Sequence, residues 1–487
     1  MVTIPRVVIA APGSGHGKTS VATGLLGALR QRGLRVSPHK VGPDYIDPGY
    51  HALAAGRPGR NLDPWLVGED QIAAMFARGA RTPVPADIAV IEGVMGLFDG
   101  AAGHSAAGHG NFASTAHVAR LLDAPVVLVV DAHGVSMSAA ALLHGFATFD
   151  PGTRIGGVIF NKAGSQRHEE LLREAAEAAG VPVLGVLRRD DRLTVPSRHL
   201  GLIPVAELGG PAADAVAALA GIVAAGVDLD AVLRLARTAG PLREGGHTED
   251  QDPASERVRQ SLPRPRIAIA GGRAFTFGYA EHPELLAAAG AEVVTFDPLR
   301  DEDLPGDVDG LVIGGGFPEE HVAALSANAT LRARVAALAG AGAPVIAECA
   351  GLLYLARSID GHPMCGVLAA EAVMTGRLTL GYRDAVAAVT SPLAPAGTRV
   401  HGHEFHRTAI RQADATAATT AATTAVASGA WHWRQSAASV TEGFVQGRVH
   451  ASYLHTHWNG IPGAAARITA AARDYRESRS GRDPAGG

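Results

Sequence analysis

The chain has 487 residues, of which 47% are hydrophobic and 18% are charged, and its formal net charge is −4. This length predicts two or three domains, and so small a charge gives no general attraction to nucleic acid or to anionic membranes. The two cysteines exclude a disulfide framework, and no run approaches the ~20 apolar residues that span a bilayer. We expect a cytoplasmic protein with small-molecule partners and neither nucleic acid nor membrane as partner; a homodimer is compatible with the sequence.

The N-terminal part, residues 1–238, alternates short apolar runs with helical segments. This alternation predicts a parallel sheet with helices on both faces. The runs that predict buried strands lie at 7–11, 88–92, 125–131, 155–161 and 181–186. Residues 239–265 are polar, rich in glycine and proline and without periodicity, which predicts a linker.

A second α/β pattern begins at residue 266, with strand-like runs at 266–270, 292–296, 310–313 and 344–347. The predicted architecture is therefore α/β, with two doubly wound domains. The first occupies 1–238 and the second 266–475, and a flexible tail follows at 476–487.

The first strand leads into a glycine-rich loop, residues 11–20, which reads APGSGHGKTS. Backbone N–H groups at Gly13, Gly15 and Gly17 can turn toward phosphate oxygens. Lys18 supplies a cation to the outer phosphates, and Thr19 can place its hydroxyl on Mg²⁺. The alternative is a glycine turn without a ligand. The strand before, the helix after and the intact Gly-Lys-Thr favour the nucleotide site, although proline stands where the strict P-loop pattern begins with glycine.

Two later loops place carboxylates at the carboxyl ends of strands, where open α/β sheets bind their ligands. Residues 40–48, KVGPDYIDP, carry Asp44 and Asp47, and residues 92–100, EGVMGLFDG, carry Glu92 and Asp99. Carboxylates there can hold Mg²⁺ that is bridged to phosphates. The positions of Glu92 and Asp44 favour this role. For Asp47 and Asp99 a role in capping a loop is equally consistent.

Cys349 lies in the segment AECAGL, residues 347–352, between a short apolar run and a helix. The dipole and N–H groups of a helix N-terminus lower the pKa of a thiol, so we predict a nucleophile. An inert buried thiol is the alternative and is the commoner fate of a single cysteine. Cys365 has no activating neighbour in the sequence and is interpreted as structural.

The second α/β region also contains candidates for an oxyanion site and for a base. The turn GGGFPEEH at 314–321 offers N–H donors from Gly315 and Gly316, together with the N–H of Ala350. The segment VHASYLHTH at 449–457 carries three histidines. On a strand His455 and His457 share a face, so periodicity does not decide between them as the base. A metal site is the alternative, but no companion ligands occur at suitable spacing.

Together these motifs resemble the cobyrinic acid and hydrogenobyrinic acid a,c-diamide synthases, a glutamine-dependent corrinoid amidotransferase family. The resemblance extends over nearly the full length and includes RHLGL at 198–202, AFTF at 274–277, GHEFH at 402–406 and ASYLH at 451–455. The N-terminal half resembles the P-loop enzyme dethiobiotin synthetase. The C-terminal half resembles a class I glutamine amidotransferase domain.

The resemblance implies a role for each matching residue. It makes Cys349 the glutaminase nucleophile and His455 its base, with His457 where many class I amidotransferases have an orienting glutamate. The implied ATP site comprises Gly13, Gly15, Gly17, Lys18, Thr19, Ser20, Asn161 and Lys162. Thr19, Asp44 and Glu92 are the implied Mg²⁺ ligands. The implied residues on the corrinoid side are Lys40, Tyr45, Asp47 and Asp99.

The implied function is that of a ligase of cobalamin biosynthesis that forms C–N bonds. With ATP, Mg²⁺ and glutamine, it would amidate the a and c acetate carboxylates of a corrin ring, hydrogenobyrinate or cobyrinate, through an acyl phosphate. One alternative is an a,c-diamide synthase that acts on nickel sirohydrochlorin. The other is a regulatory P-loop ATPase with an amidotransferase-like docking domain. The sequence does not separate a cobalt-free from a cobalt-bearing ring.

Overall fold

A computed structural model of the chain describes residues 3–105, 111–190, 197–198, 201–242, 264–412, 428–435 and 438–480. The chain forms two compact units, Met1–His247 and Thr248–Gly487. Most of the predicted linker, residues 243–263, and residues 481–487 of the predicted tail lie outside the described residues. Residues 476–480 continue the helix Ala464–Ser480. We retain 1–238 and 266–475 as the proposed domain boundaries.

Within the described residues, the N-terminal unit is built on a seven-stranded parallel sheet with the order β3-β2-β4-β1-β7-β8-β9. The antiparallel pairs β5–β6 and β10–β11 lie outside this sheet. The strands are β1 (Arg6–Ala10), β2 (Val36–Val41), β3 (Arg60–Leu62), β4 (Ile88–Glu92), β5 (Ala101–Ser105), β6 (Asn111–Phe112), β7 (Val126–Asp131), β8 (Ile155–Ala163), β9 (Val183–Arg188), β10 (Ser197–Arg198) and β11 (Gly201–Leu202).

Helices cover both faces of this sheet, as successive side chains of β2 indicate. His39 packs against Phe76, with ring centroids 4.9 Å apart, whereas Lys40 contacts Asp47 on the opposite face. Because side chains alternate along a strand, the helices that carry Phe76 and Asp47 lie on opposite faces. The helices of the unit are Lys18–Gln31, Asp47–Ala55, Pro64–Val67, Glu69–Arg81, Thr115–Leu121, Ala139–Phe149, Gln166–Ala178, Val205–Leu208, Gly210–Gly226 and Leu229–Ala236.

In the part of the C-terminal unit that the structure describes, the strands form two sheets. The first has the order β13-β12-β14-β15-β23-β22 and is parallel except for the pair β22–β23. The second is built around the long antiparallel pair β18–β19. The strands are β12 (Arg266–Ala270), β13 (Glu292–Phe296), β14 (Gly310–Ile313), β15 (Val345–Glu348), β16 (Ser358–Ile359), β17 (His362–Pro363), β18 (Ala370–Ala387), β19 (Arg399–Gln412), β20 (Trp431–Gln435), β21 (Ala438–Glu442), β22 (Phe444–Gln446), β23 (Val449–Ser452) and β24 (His455–Thr456).

The helices of this unit are Glu281–Ala288, Val322–Ala327, Ala329–Gly340, Ala350–Leu355 and Ala464–Ser480, with short 3₁₀ turns at Pro318–His321 and Trp458–Gly460. No described helix is both long and apolar enough to cross a membrane. The two sheets meet through β23 and β24, which are separated by two residues, because β24 pairs with β19 of the second sheet. This junction places His455 near β15, the strand that leads to Cys349.

Candidate active sites

The glycine-rich loop of the N-terminal unit is held by the ends of β7 and β8. Gly15 and Gly17 adopt left-handed φ values of 86° and 84°. A Cβ on Gly17 would lie 2.2 Å from Nδ2 of Asn161, which itself donates to the His16 carbonyl at 3.1 Å. The Asp131 N–H donates to His16 Nδ1 at 2.9 Å. This backbone path therefore requires glycine at position 17.

Two carboxylates and a hydroxyl converge beside the loop. Thr19 Oγ1 donates to Glu92 Oε1 at 2.6 Å and to Asp47 Oδ2 at 3.3 Å. Lys40 Nζ lies 2.7 Å from Asp47 Oδ2 and 3.0 Å from Glu92 Oε1. On the other side, His51 Nε2 lies 2.7 Å from Glu92 Oε2. Although burial acts to raise the pKa of Glu92, the charge of Lys40 and the hydrogen bond from His51 lower it overall, which keeps this carboxylate ionised.

This set of donors fits Mg²⁺, which prefers oxygen ligands and usually takes one or two carboxylates together with substrate phosphates. Thr19, Glu92 and Asp47 supply such oxygens. Asp44 is oriented differently, because its Oδ1 accepts the N–H groups of Ile46 at 2.8 Å and Asp47 at 2.9 Å and so orders the turn before the helix Asp47–Ala55. Asp47, predicted on the corrinoid side, is thus the second carboxylate next to Thr19. Within the described ranges, no group of three or more His, Cys, Asp or Glu side chains is arranged to hold a metal ion.

The lysines of this site make contacts within it. Lys18 Nζ donates to the Met95 carbonyl at 2.8 Å, and burial, with the charge of Lys40, lowers the pKa of Lys18 to about 8. Lys162 Nζ lies 2.6 Å from Asp131 Oδ2, and its N–H donates to Asn161 Oδ1 at 3.0 Å.

The other predicted residues surround this cluster. Both ends of the Asn161 side chain are engaged, so in this structure it holds the loop. Asp99 Oδ2 accepts the Gly96 N–H at 3.0 Å and orders the loop after β4. Tyr45 and Ser20 are half-buried.

In the C-terminal unit, Cys349 forms a sharp turn between β15 and the helix Ala350–Leu355. Its φ of 49° is unusual for a residue with a side chain, and its N–H donates to the Ser452 carbonyl at 2.7 Å. A Cβ on Gly351 would lie 2.1 Å from the Ile313 carbonyl oxygen. Glycine is therefore required at 351, the second residue of the helix that follows the thiol. The predicted strand, turn and helix around Cys349 are therefore present.

The thiol itself is buried, and its Sγ lies 3.8 Å from the Phe405 carbonyl oxygen. Burial raises the pKa of Cys349, and the negative charge of Glu319 adds to this increase. The N–H of Ala350 acts in the opposite direction but is outweighed. The prediction that the helix N-terminus lowers this pKa is therefore wrong for the net direction, because desolvation dominates. The thiol needs a base to form the thiolate.

His455, the first residue of β24, and His457, which directly follows β24, have different environments. His455 is buried, stacks on His403 with ring centroids 4.9 Å apart, and has Nδ1 4.0 Å from Glu348 Oε2. Burial, then the neighbouring histidines, holds the pKa of His455 well below its usual range, so the ring is neutral and can accept a proton. His457 instead has Nε2 3.5 Å from Glu281 Oε2. The structure thus distinguishes two residues that strand periodicity does not.

The N–H groups predicted as oxyanion donors also differ in their surroundings. The N–H of Gly315 donates to the Phe277 carbonyl at 3.0 Å, and the Phe277 N–H donates back to the Gly315 carbonyl at 3.0 Å. Gly315 is therefore not a free donor, because its N–H is engaged in a bridge. The N–H of Ala350 bonds the Cys349 thiol, which places this donor at the nucleophile. Ala350 and Gly316 remain the candidate oxyanion donors.

Two family models match the chain over these sites. The CobQ/CobB/MinD/ParA nucleotide binding domain matches residues 7–203, and the CobB/CobQ-like glutamine amidotransferase domain matches residues 266–462. The chain is 58% identical to the hydrogenobyrinate a,c-diamide synthase of Streptomyces coelicolor, over 96% of this chain and 98% of that protein. The corresponding enzyme of Mycobacterium tuberculosis is 56% identical, over 96% and 98%. The cobyrinate a,c-diamide synthase of Syntrophotalea carbinolica is 44% identical, over 95% and 98%.

The chain belongs to the a,c-diamide synthase family. Membership confirms the predicted resemblance, the two-domain α/β fold class and a glutamine-dependent ligase that forms amide bonds. It favours this function over the nickel-sirohydrochlorin and regulatory ATPase alternatives. In this a,c-diamide synthase the nucleotide-binding match contains Lys18 and Glu92, and the amidotransferase match contains Cys349 and His455.

Sequence reasoning did not assign a role to Glu348 or His51. Glu348 immediately precedes Cys349, and its side chain reaches the strand that carries His455. The only signal in the sequence is this adjacency. His51 lies one helical turn after Asp47, at the spacing that places two side chains on one face of a helix.

Gly315 has a steric role that provides a test of the assignment of His455. A Cβ on Gly315 would lie 2.5 Å from Cε1 and 3.3 Å from Nδ1 of that histidine. We expect Gly315→Ala to displace the ring and to lower kcat with glutamine about 100-fold, because small misplacements of a catalytic group have effects of this size. Activity with ammonium chloride should be retained. Gly340→Ala, whose Cβ meets nothing within 4 Å, is the control. Normal glutamine turnover in Gly315→Ala would contradict the assignment.

Proposed function

We propose that this protein amidates the a and c acetate side chains of a cobalt-free corrin, hydrogenobyrinate, with glutamine as nitrogen donor and ATP with Mg²⁺ as activating reagents. Relatives that are 58% and 56% identical carry that name, whereas the cobyrinate enzyme is 44% identical. The observation that carries the proposal is the presence of two complete sets of groups in one chain. One is the oxygen cluster beside the phosphate loop. The other is the cysteine turn together with the neutral, buried His455, whose Nδ1 lies 4.0 Å from Oε2 of Glu348, the residue before Cys349.

The C-terminal site releases ammonia. His455 removes the proton from Cys349 Sγ, and the thiolate forms a bond to the side-chain carbonyl carbon of glutamine. The N–H groups of Gly316 and Ala350 stabilise the oxyanion. His455 then gives the proton to the leaving nitrogen, and the C–N bond breaks to release ammonia. Water hydrolyses the remaining thioester to glutamate and regenerates the thiol.

The N-terminal site activates the carboxylate that ammonia attacks. ATP would supply the phosphoryl group for an acyl phosphate, and a bound Mg²⁺ would neutralise charge on the phosphates. Thr19, Glu92 and Asp47 would hold the metal. Lys18, now bonded to the Met95 carbonyl, faces the outer phosphates when the loop is filled. Lys40 keeps Asp47 and Glu92 together without a metal by contacting both.

The corrinoid side of this site is proposed to include Lys40, Tyr45, Asp47 and Asp99. Support comes from their positions at the carboxyl end of the sheet, since Lys40 is the last residue but one of β2, Tyr45 and Asp47 follow β2, and Asp99 follows β4. A cytoplasmic location and a homodimer belong to the same proposal. Light scattering on the purified protein tests the homodimer.

The substrate is tested by incubating purified protein with ATP, Mg²⁺ and glutamine and with one tetrapyrrole at a time. Hydrogenobyrinate, cobyrinate and nickel sirohydrochlorin are the three substrates to compare, with product masses as the readout. We expect the diamide of hydrogenobyrinate to form fastest. Faster conversion of either metal-containing ring would overturn the choice of substrate, and no conversion of any would overturn the proposed function.

The proposed base is tested by comparing the two histidines. His455→Ala should abolish glutamine hydrolysis, because no other group then accepts the thiol proton, whereas His457→Ala should reduce it by less than about tenfold. Steady-state glutamate production measures both. A larger loss at His457 would reverse the assignment.

A further inference from the structure

One carboxylate links the nucleophile to the strand of the base. Glu348 is the last residue of β15 and directly precedes Cys349. Its Oε1 accepts hydrogen bonds from Thr456 Oγ1 at 2.7 Å and from the Thr456 N–H at 3.3 Å. Its Oε2 lies 4.0 Å from Nδ1 of His455. A single side chain therefore contacts both residues of β24.

This position matters because His455 must become positive in a buried place. When the ring takes the thiol proton, burial opposes the imidazolium, and a nearby negative charge offsets that penalty. Residue 457, two positions after His455, is a histidine that lies beside Glu281 instead. Glu404 is also near, but it pairs with Arg383 at 2.6 Å. Glu348 is the carboxylate that the structure places at Nδ1.

We propose that Glu348 is a positioning residue of the glutaminase site, which holds His455 through Nδ1 and stabilises the imidazolium that forms when Cys349 loses its proton. This inference rests on the proposed roles of Cys349 and His455. The proposal assigns the ring hydrogen of the resting His455 to Nδ1, on the side of the carboxylate, and assigns Nε2 as the atom that accepts the thiol proton. The anchor at Thr456 fixes the carboxylate, so the ring and the nucleophile keep one relative position. Burial raises the pKa of Glu348 to about 7, so about half of the carboxylate is ionised at neutral pH.

The substitution Glu348→Gln tests this role, because glutamine keeps an oxygen for Thr456 but removes the charge. We expect kcat for glutamine hydrolysis to fall about 10- to 100-fold, because the substitution removes a negative charge that lies 4.0 Å from Nδ1 of the ring, with KM for glutamine nearly unchanged. Amidation with ammonium chloride should keep its wild-type rate. Glu348→Asp, which keeps the charge, should recover part of the loss.

Glu281→Gln is the matched control, since it removes a buried carboxylate beside the other histidine. It should leave glutamine hydrolysis close to wild type. The pH profile of kcat/KM separates positioning from a merely structural role. In Glu348→Gln the acidic limb should move to lower pH by about one unit, because the ring of His455 then lacks the carboxylate that favours its protonation. His403 and His406, which also lower the pKa of His455, are unchanged in both variants.

A fraction of misfolded enzyme lowers the plateau of this profile without moving its limb. A wild-type rate and profile in Glu348→Gln, with glutamine hydrolysis absent in Cys349→Ala, would overturn the role of Glu348 alone. Retention of glutamine hydrolysis in Cys349→Ala would instead overturn the proposed function. If Glu348→Gln does not fold, Thr456→Val provides the second test, since it removes the hydroxyl that makes the shorter of the two hydrogen bonds to the carboxylate. A normal rate and profile in that variant would also count against the proposal.

Discussion

Replacing Cys349 by alanine is expected to abolish glutamine-dependent amidation and to leave amidation with ammonium chloride near the wild-type rate. Without the thiol no bond to the glutamine carbonyl carbon forms, whereas the oxygen cluster at Thr19 and Glu92 belongs to the other unit and is untouched. The loss with glutamine should exceed about 1,000-fold, since removal of a nucleophile typically has at least this effect. Diamide production with each nitrogen source, measured by mass spectrometry, provides the test.

Cys365→Ala is the matched control, because it removes the other cysteine of the chain, which is also buried. We expect normal rates with both nitrogen sources. An equal loss with glutamine and with ammonia in Cys349→Ala would mean that this residue is structural, and glutamine hydrolysis by that variant would mean that the nucleophile lies elsewhere.

Replacing Lys18 by alanine is expected to eliminate amidation with both nitrogen sources, by a factor of at least about 100. This lysine is the cation that follows the phosphate loop, and its burial strengthens its interaction with a bound phosphate. Glutamine hydrolysis at Cys349 should continue, now uncoupled from amide formation. Phosphate release reports ATP turnover and product mass reports amidation, and both are measured on the same sample.

Arg32→Ala serves as the control for Lys18→Ala. Arg32 directly follows the helix Lys18–Gln31, is exposed and forms an ion pair with Asp230. The activity of Arg32→Ala should be unchanged, because exposed ion pairs contribute little. Normal ATP turnover in Lys18→Ala would place the nucleotide site elsewhere in the chain.

The sequence predicts well those elements whose burial is purely apolar. Five runs of the N-terminal part and four of the C-terminal part coincide with strands to within two residues. β2 escapes prediction because Pro38, His39 and Lys40 interrupt its apolar pattern. The polar side chains of His39 and Lys40 are buried because they contact neighbours on opposite faces of the sheet. Such contacts depend on the tertiary fold. The sequence does not predict the sheet around β18 and β19 either, because many residues of β18 are partly exposed.

Some features of the two sites likewise depend on local sequence, and others depend on the tertiary fold. A glycine-rich loop before a helix and a cysteine at a strand-to-helix turn are local features, so their residues are recognised from spacing alone. The pKa of Cys349 depends on how much protein covers it, which no spacing reports. The different roles of Asp44 and Asp47 likewise depend on which of them turns its oxygens to the backbone.

The covered, protonated state of Cys349 has a consequence for the durability of the enzyme. Peroxides and disulfides react with thiolates far faster than with thiols, and they must reach the sulfur to do so. In the proposed mechanism Cys349 becomes a thiolate only when glutamine and His455 act on it, so burial and protonation would shield the sulfur from oxidants between turnovers. We therefore expect the resting protein to keep this sulfur reduced without a partner cysteine.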